Sequence, residues 1–261
     1  MTPHDAHFEL RFAQSQQDLL AAQRLRYEVF VAELGGTGPL VDHENRFEKD
    51  SFDPDYDHLV LIDTRRDAQA LDHVVGVYRL LPGDRAATLG RFYTEDEYDV
   101  SVLKSSNRRL LELGRSCVHP DYRGGTAMLH LWQGLADYIA DHRIDILFGV
   151  ASFHGTDAAA LAQPLSFLHH NHLAPSGLRV RAQPAHFQTM DLIAKADVDR
   201  LAAARAIPSL IKGYLRLGGY IGEGAFVDHA FNTTDVCLIM DTAQINDRQR
   251  GIYTSRDRAL S

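Results

Sequence analysis

Cysteine is almost absent from this 261-residue chain: only Cys117 and Cys237 occur, far apart and in no metal-ligand spacing. That excludes a disulfide scaffold and a zinc knuckle, and points to a reducing compartment. An excess of positive charge is missing too. Lys and Arg number 27 against 35 Asp and Glu, a net charge of −8 with no dominant basic stripe, which argues against general nucleic-acid binding. No apolar run is long enough to span a bilayer. No basic segment followed by an apolar stretch opens the chain, so a secretion signal is not expected. The expected location is the cytoplasm, with contact at the inner face of the cytoplasmic membrane left open. The chain carries no Gly-x-Ser-x-Gly elbow, no His-Glu-x-x-His and no Walker loop, so serine-hydrolase, zincin and NTPase readings lack support. Repeats and low-complexity segments are absent as well. What is present is an ordinary globular composition, 45% hydrophobic and 24% charged.

Patterning predicts mixed strands and helices. Phe8–Phe12 alternates apolar and charged residues as a half-buried strand does. Ser15-Gln16-Gln17-Asp18 has capping-box spacing ahead of a helix through Leu19, Ala22, Leu25 and Val29, stopped at Gly35-Gly36. Residues Thr37–Tyr56 form an acidic, turn-rich loop containing Asp42, Glu44, Glu48, Asp50, Asp53 and Asp55. Strands are expected at His58–Asp63, Val74–Leu81, Leu111–Val118, Ile144–Phe153 and Thr234–Met240. Met128, Leu131, Trp132, Leu135 and Ile139 have the spacing of one buried helical face. Thr156 and Asp157 can cap a helix to Phe167, ahead of a loop with His169, His170 and His172. Further helices are expected from about Asp197 and over Ser209–Leu217, separated by Pro208, with a frayed polar end beyond Asp241.

The stretch from Leu111 to Gly125 carries the most chemistry. A strand bearing Glu112 and Arg115 runs into a Pro/Gly loop and then a helix start, an order that can aim backbone N–H groups at a phosphate or an oxyanion. Two charges on a strand that should be apolar need a reason, and a reacting group nearby supplies one.

These residues resemble the acyl-carrier-protein-dependent branch of the GNAT acyltransferase superfamily. The pattern shared with acyl-homoserine lactone synthases is Arg26 with Val29-Phe30, then Asp50 and Asp53, then Arg79-Leu80-Leu81-Pro82, then Glu112 with Arg115. It covers roughly residues 20–170. Gly114-Arg115-Ser116-Cys117-Val118-His119-Pro120, the run Leu210–Gly218 and the run Val227–Val236 are similar to the L-ornithine Nα-acyltransferases that make lyso-ornithine lipid. The loop after Arg123 departs from the usual coenzyme A signature of GNAT proteins, which favours a donor held mainly by a carrier protein.

The resemblance implies an α/β fold, a GNAT-like three-layer α-β-α arrangement with a central mixed, splayed sheet and a helical C-terminal extension. It places the acyltransferase core in residues 1–180 and the extension in 181–261. It implies transfer of a 3-hydroxy fatty acyl group from acyl carrier protein to the α-amine of L-ornithine. No bound cofactor and no metal are expected; the acyl-phosphopantetheine is a substrate. The alternatives are another amino-acid acceptor, lactone-synthase-like chemistry, or a non-catalytic protein binding acyl carrier or membrane.

Amide formation from a thioester needs an unprotonated amine, an oxyanion stabiliser and a proton for the departing thiolate. An α-amine with pKa near ~8 needs only modest help. Glu112 is the candidate base, directly or through water, with Arg115 holding it or a substrate carboxylate; a plain strand-end ion pair is the alternative. Main-chain N–H groups of Ser116 and Cys117 are candidate oxyanion donors if the strand bulges, while the Cys117 thiol reads as packing. Arg26, Phe30, Glu44, Asp50, Asp53, Arg79, Ser152 and Phe153 are candidates for binding substrate. The acidic ones suit an ornithine ammonium, or salt bridges to Arg26 and Arg79 that shape an acyl pocket. Val118, Arg123, Gly124 and Gly125 are candidates for the donor phosphopantetheine. Arg108, Arg109, Arg123, Arg143, Lys212 and Arg216 are available to an acidic carrier protein, and Ser209–Leu217 to a membrane surface.

Overall fold

Ser15 opens the first helix as its spacing predicts. Its hydroxyl accepts the Asp18 N–H at 3.1 Å, and the Asp18 carboxylate accepts the Ser15 N–H in return, closing a capping box. The computed structural model describes residues 7–38 and 40–244. The expected polar end beyond Asp241 lies mostly outside them. Strands are β1 (Phe8–Phe12), β2 (Asp57–Asp63), β3 (Val74–Pro82), β4 (Tyr98–Asp99), β5 (Leu110–Val118) and β6 (Ile146–His154). They continue as β7 (Arg181–Ala182), β8 (Phe187–Gln188), β9 (Tyr220–Ile221), β10 (Ala225–Asp228) and β11 (Thr233–Asp241). Helices are α1 (Gln16–Arg26), α2 (Gly83–Leu89), α3 (Ser101–Lys104), α4 (Ala127–His142), α5 (Ala162–His172), α6 (Arg200–Ala206) and α7 (Ser209–Arg216).

Two compact units share this chain. The first takes the described residues through Leu81 together with Leu113–Arg143; the second takes Pro82–Glu112 and the described residues from Ile144 onward. In the first, β1, β2 and β3 run antiparallel and β5 follows β3. Helix α1 lays Ala21, Ala22 and Leu25 against Val60, Ile62, Val74 and Val77, with Cys117 in the same cluster. Past Arg26 the helix widens into a π-helix over Tyr27–Glu33, so Leu34 N–H reaches the Val29 carbonyl, before Gly35 turns left-handed at φ +74°. Helix α4 buries Ala127, Leu131, Gly134, Leu135 and Tyr138. Leu131 and Leu135 of the expected face are buried, while Met128, Trp132 and Ile139 are half-buried, so the face is turned toward Ala127, Gly134 and Tyr138. Gly134 explains the rotation, because a Cβ there would meet Leu10 Cδ2 at 2.8 Å; bare backbone, not a large apolar side chain, makes the contact.

The second unit carries the mixed pairing. β5 runs parallel to β6 over Leu110–Glu112 against Ile146–Phe148, and their registered pairs end there although both strands are nine residues long. β6 pairs antiparallel with β11 along its whole length, β11 with β10, and β10 with β8. Together these elements give the mixed, splayed α/β sheet with helices that the GNAT resemblance implies, and α6 and α7 supply the helical C-terminal segment. The C-terminal region is more than a helical appendage: β11 lies along β6 from Thr233↔His154 to Asp241↔Ile146. Three expectations shift in detail. His169, His170 and His172 sit in the last turn of α5, not in a loop, because the helix continues past Phe167. α6 starts at Arg200, where Asp199 accepts N–H groups of Leu201 and Ala202. The run from Val227 turns out to be the β10–β11 hairpin.

Gly224, just before β10, has φ +76°, and a Cβ there would fall 2.2 Å from the Phe187 ring. Gly224→Ala combines a left-handed penalty of about 1–2 kcal/mol with a steric clash. We expect its thermal midpoint to drop by several degrees in a melt followed by circular dichroism; an unchanged midpoint would refute this packing.

Candidate active site

Three guanidinium groups and three carboxylates are interlocked in the first unit. Arg26 and Arg79 are wholly buried, one on α1 and one on β3. The Arg26 Nε donates to Glu48, and its Nη1 donates to Asp53 at 2.6 Å. The Arg79 Nη1 donates to Asp53 at 2.7 Å and to both oxygens of Asp50 at 2.8 Å, with its guanidinium 4.3 Å from the Tyr56 ring centre. Arg115 on β5 donates to Glu48 at 3.1 Å and reaches Asp50 at 3.4 Å. Gln23 and His58 tie in from the side, to the Asp53 carboxylate and carbonyl. Burial alone would push the Glu48 carboxyl up, but the charges of Arg115 and Arg26 outweigh it and hold the group at about 2. Asp53 is likewise held well below its ordinary value: Arg26 and Arg79 overcome its burial. Three cations therefore face three anions in this cluster.

The acidic loop thus divides. Asp50 and Asp53 are engaged by arginines, as one of the two sequence readings has it. Asp42 is spent on its own turn, accepting the Asn45 N–H at 2.9 Å, and Glu44 is exposed. Glu48 was not singled out by the sequence, yet it joins Arg26 to Arg115. Nothing separates it from its acidic neighbours in one dimension.

Strand β5 is kinked where the candidate chemistry lies. Arg115 has φ +49° in mid-strand, a left-handed conformation rare for a side-chain-bearing residue. Such a residue breaks the regular alternation and re-aims the main chain that follows, here Ser116 and Cys117. The Ser116 hydroxyl is buried with no hydrogen-bond partner. The Cys117 thiol is packed among Ala21, Ala22, Leu25 and Val29. Burial pushes it up to about 12, which keeps it a thiol and removes it as a nucleophile. Phe30, on the π-helix, packs against the same cluster. After Val118, Arg123 returns its Nε to the Val118 carbonyl and forms a bidentate pair with Glu33 at 2.7 and 2.6 Å. Gly124 is left-handed at φ +76°, with no atom within 4 Å of where a Cβ would stand. The loop with Gly125 therefore presents bare backbone just before α4.

Glu112 belongs to the second unit, at the last registered pair of β5 with β6. It is 1% exposed, and its two oxygens accept the N–H groups of Thr94 at 2.6 Å and Tyr93 at 3.1 Å. It anchors the short 3-10 turn Tyr93–Asp96. Arg115, by contrast, is found with Glu48 and Asp50. Phe153 is buried, while Ser152 is exposed on β6. His169, His170 and Asp191 come close enough to suggest a metal site. His170 Nε2, however, is bonded to the Ile193 carbonyl at 2.8 Å and is not offered to an ion. Helix α7 buries Ile211, Tyr214 and Leu217. Among the described residues no helix is long and apolar enough to cross a membrane.

Comparison with known proteins adds the following. Residues 25–133 match the model of the acetyltransferase (GNAT) domain. The chain is 64% identical over 249 residues to an L-ornithine N(alpha)-acyltransferase of Rhodobacter capsulatus, covering 95% of each. It is 45% identical to one of Brucella abortus, covering 94% of this chain and 88% of that one. Among solved structures, the CoA-dependent acyl-homoserine lactone synthase BjaI superposes with a TM-score of 0.51 at 16% identity, over 92% of this chain and 82% of that one. The AHL synthase LasI gives 0.51 at 14% identity over 95% of both chains. At such low identity the structural likeness concerns the fold.

Removing one member of the buried network leaves an uncompensated charge, which costs about 3–5 kcal/mol. Glu48→Gln and Asp53→Asn should each destabilise by that order in urea titrations at pH 7. The folded-state values of Glu48 and Asp53 lie below the ordinary carboxylate range, so their contribution is complete above about pH 5 and is lost as pH falls through 4 toward 2. Wild-type stability should fall over that window, and the Glu48→Gln curve should fall less steeply. Parallel curves would show that the network does not titrate on unfolding.

Proposed function

The chain belongs to the L-ornithine N(alpha)-acyltransferase family, and on that premise we propose that it transfers a long-chain 3-hydroxyacyl group from acyl carrier protein to the α-amine of L-ornithine. The observation that carries the reading is the 64% identity extending over 95% of both chains. The product is an N-acyl-ornithine, a lyso-ornithine lipid, and the released group is the carrier protein's phosphopantetheine thiol.

The reaction forms one C–N bond and breaks one C–S bond. The amine attacks the thioester carbonyl, and negative charge develops on its oxygen. Main-chain N–H groups at Ser116 and Cys117, re-aimed by the left-handed Arg115, are our candidates to bind that oxygen. Losing one such donor typically raises a barrier by about 3–4 kcal/mol. The amine proton passes to Glu112 through a water, the carboxylate being held in place by the main-chain N–H groups of Tyr93 and Thr94. The Ser116 hydroxyl, unpartnered in the protein, is suited to donate a hydrogen bond to the departing thiolate, which takes the proton that left the amine, relayed from Glu112 through water. Arg26, Arg79, Asp50 and Asp53 frame the acyl side as a rigid, charge-neutral wall, with Phe30 supplying apolar surface. Gly124 and Gly125 leave room for phosphopantetheine against the start of α4, with Val118 and Arg123 beside them. The carrier protein is acidic, so its docking face is expected among the arginines and lysines, of which the exposed Arg143 is the candidate we favour. The chemistry belongs in the cytoplasm, with the lipid product released toward the membrane.

Purified protein given 3-hydroxyacyl carrier protein and a panel of amino acids should yield N-acyl-ornithine by mass spectrometry, and none when acyl-CoA replaces the carrier. A different acylated amino acid would keep the chemistry and change the acceptor; no acylated amine, with carrier protein still bound, would favour a binding protein. Glu112→Gln should lower kcat by about 10²–10⁴ and remove the rising limb of the pH profile, with carrier affinity unchanged. The two N–H contacts favour a second reading, in which Glu112 only anchors the Tyr93–Asp96 turn. Reduced stability with an unaltered pH profile would support that reading instead.

A further inference from the structure

The second unit holds a separate cluster of acidic groups. Glu97, Asp228 and Asp235 each bring a carboxylate oxygen within 4.8 Å of the others. Glu97 and Asp235 are buried, Asp228 half-buried. Glu97 follows the 3-10 turn that Glu112 anchors, and Tyr98, next to it, has its hydroxyl 2.9 Å from the carbonyls of Gly224 and Asp235. Asp228 ends β10 and Asp235 lies on β11, brought together by the hairpin register Asp228↔Thr233 and Phe226↔Asp235. Asp228 keeps one oxygen on the N–H groups of Ala230 and Phe231.

Asp235 is the anomaly. It is 4% exposed, its Oδ2 accepts the Thr233 hydroxyl at 3.2 Å, and its Oδ1 is buried with no hydrogen-bond partner. Among the described residues no Lys or Arg pairs with Asp228 or Asp235. Burial pushes the Asp235 carboxyl up to about 6, against the pull of the nearby Ser152 hydroxyl, and the charge of Asp228 adds to the rise. Glu97 also hydrogen-bonds the Asp235 side chain, so the two acids share a proton, and a cation entering the cluster would take that proton's place.

We propose that Glu97, Asp228 and Asp235 receive the side-chain ammonium of the acceptor amino acid, and so select a diamino acid over a neutral one. This rests on the acceptor reading above and names the groups that enforce it. An ammonium has three N–H donors in tetrahedral array, and partners at about 2.8 Å along them stand about 4.6 Å apart. The three carboxylate oxygens all lie within 4.8 Å of one another, close enough for a single ammonium to reach. A calcium ion takes six to eight oxygens, and a carboxylate trio alone falls short of that. Access is provided by Ser152, which is exposed and sits directly opposite Asp235 on β6. The cluster also lies on the sheet face of the candidate base. Register pairs Glu112 with Phe148 and Asp235 with Ser152, four residues farther along β6, so the four share a face, with Glu112 and Asp235 about 13 Å apart along the strands and about 10 Å across them, roughly 16 Å between their backbones. An extended ornithine, about 6 Å between its nitrogens, fits between the two side chains with one ammonium–carboxylate contact and one bridging water.

The test compares ornithine with norvaline, which lacks only the side-chain amine, using 3-hydroxyacyl carrier protein as donor. Wild type should strongly prefer ornithine. In Asp235→Asn, and in the less buried Asp228→Asn, the ornithine-to-norvaline ratio of kcat/KM should fall at least about tenfold, the loss expected for one charge-assisted hydrogen bond, and should appear in the ornithine KM. An unchanged ratio in folded variants overturns the proposal, as does an equal fall for both acceptors, which marks a structural role. Calcium binding by wild type that Asp235→Asn abolishes, with the ratio intact, overturns it in favour of a divalent-cation site. Wild type that fails to acylate ornithine at all sinks the acceptor reading itself, and is recognised before any variant is made.

Discussion

Burial of Arg26 and Arg79 is the constraint on which the first unit depends. A guanidinium cannot shed its proton, so a wholly buried one must be met by carboxylates in the same space. The loop that supplies Glu48, Asp50 and Asp53 is therefore obliged to fold against α1 and β3. Arg115 completes the balance from β5. Its pairing with Glu48 and Asp50 accompanies the left-handed turn of its own backbone, since the side chain is held where the main chain must kink to deliver it. The ion network and the distorted strand are two aspects of one structure. Only the second bears on the chemistry proposed for Ser116 and Cys117.

The acidic residues serve three different ends. In the first unit they neutralise arginines, and Glu48 and Asp53 titrate low. Glu112 holds the N–H groups of a 3-10 turn while standing where the registered pairing of β5 with β6 ends. Glu97, Asp228 and Asp235 form a group in which repulsion and burial raise a carboxyl instead of lowering it. The same residue types thus carry opposite electrostatic character according to whether a fixed cation accompanies them. Selection of a cationic acceptor is proposed for the cluster in which Asp228 and Asp235 carry no Lys or Arg pair among the described residues, whereas a loop rich in acid but paired with arginine contributes rigidity.

Much of this was legible in one dimension. The capping box at Ser15, the strands on either side of the polar turn near Arg65, and the helix after Gly125 are local patterns, and local hydrogen bonding decides them. The pairing of Arg26, Asp50, Asp53 and Arg79 was readable as one of two options, since their order along the chain matches a known family pattern. The rotated face of α4 was not readable, because Gly134 contributes to packing by having no side chain. Nor were the helical placement of His169–His172 and the small strands β8, β9 and β10, whose few residues carry too little periodicity to stand out.

Sequence alone determined the family, the alternation of elements and the stretch from Leu111 to Gly125 as the place to look. Those depend on residue identity at fixed spacing, which the chain states directly. Tertiary structure decided which charges are answered. Arg115 joined Glu48 and Asp50, Cys117 entered an apolar cluster, and Asp235 came to lie beside Asp228 across a hairpin and beside Glu97 across more than a hundred residues. A carboxylate's chemistry is set by the charges and water within a few ångströms, and only the folded chain specifies those neighbours.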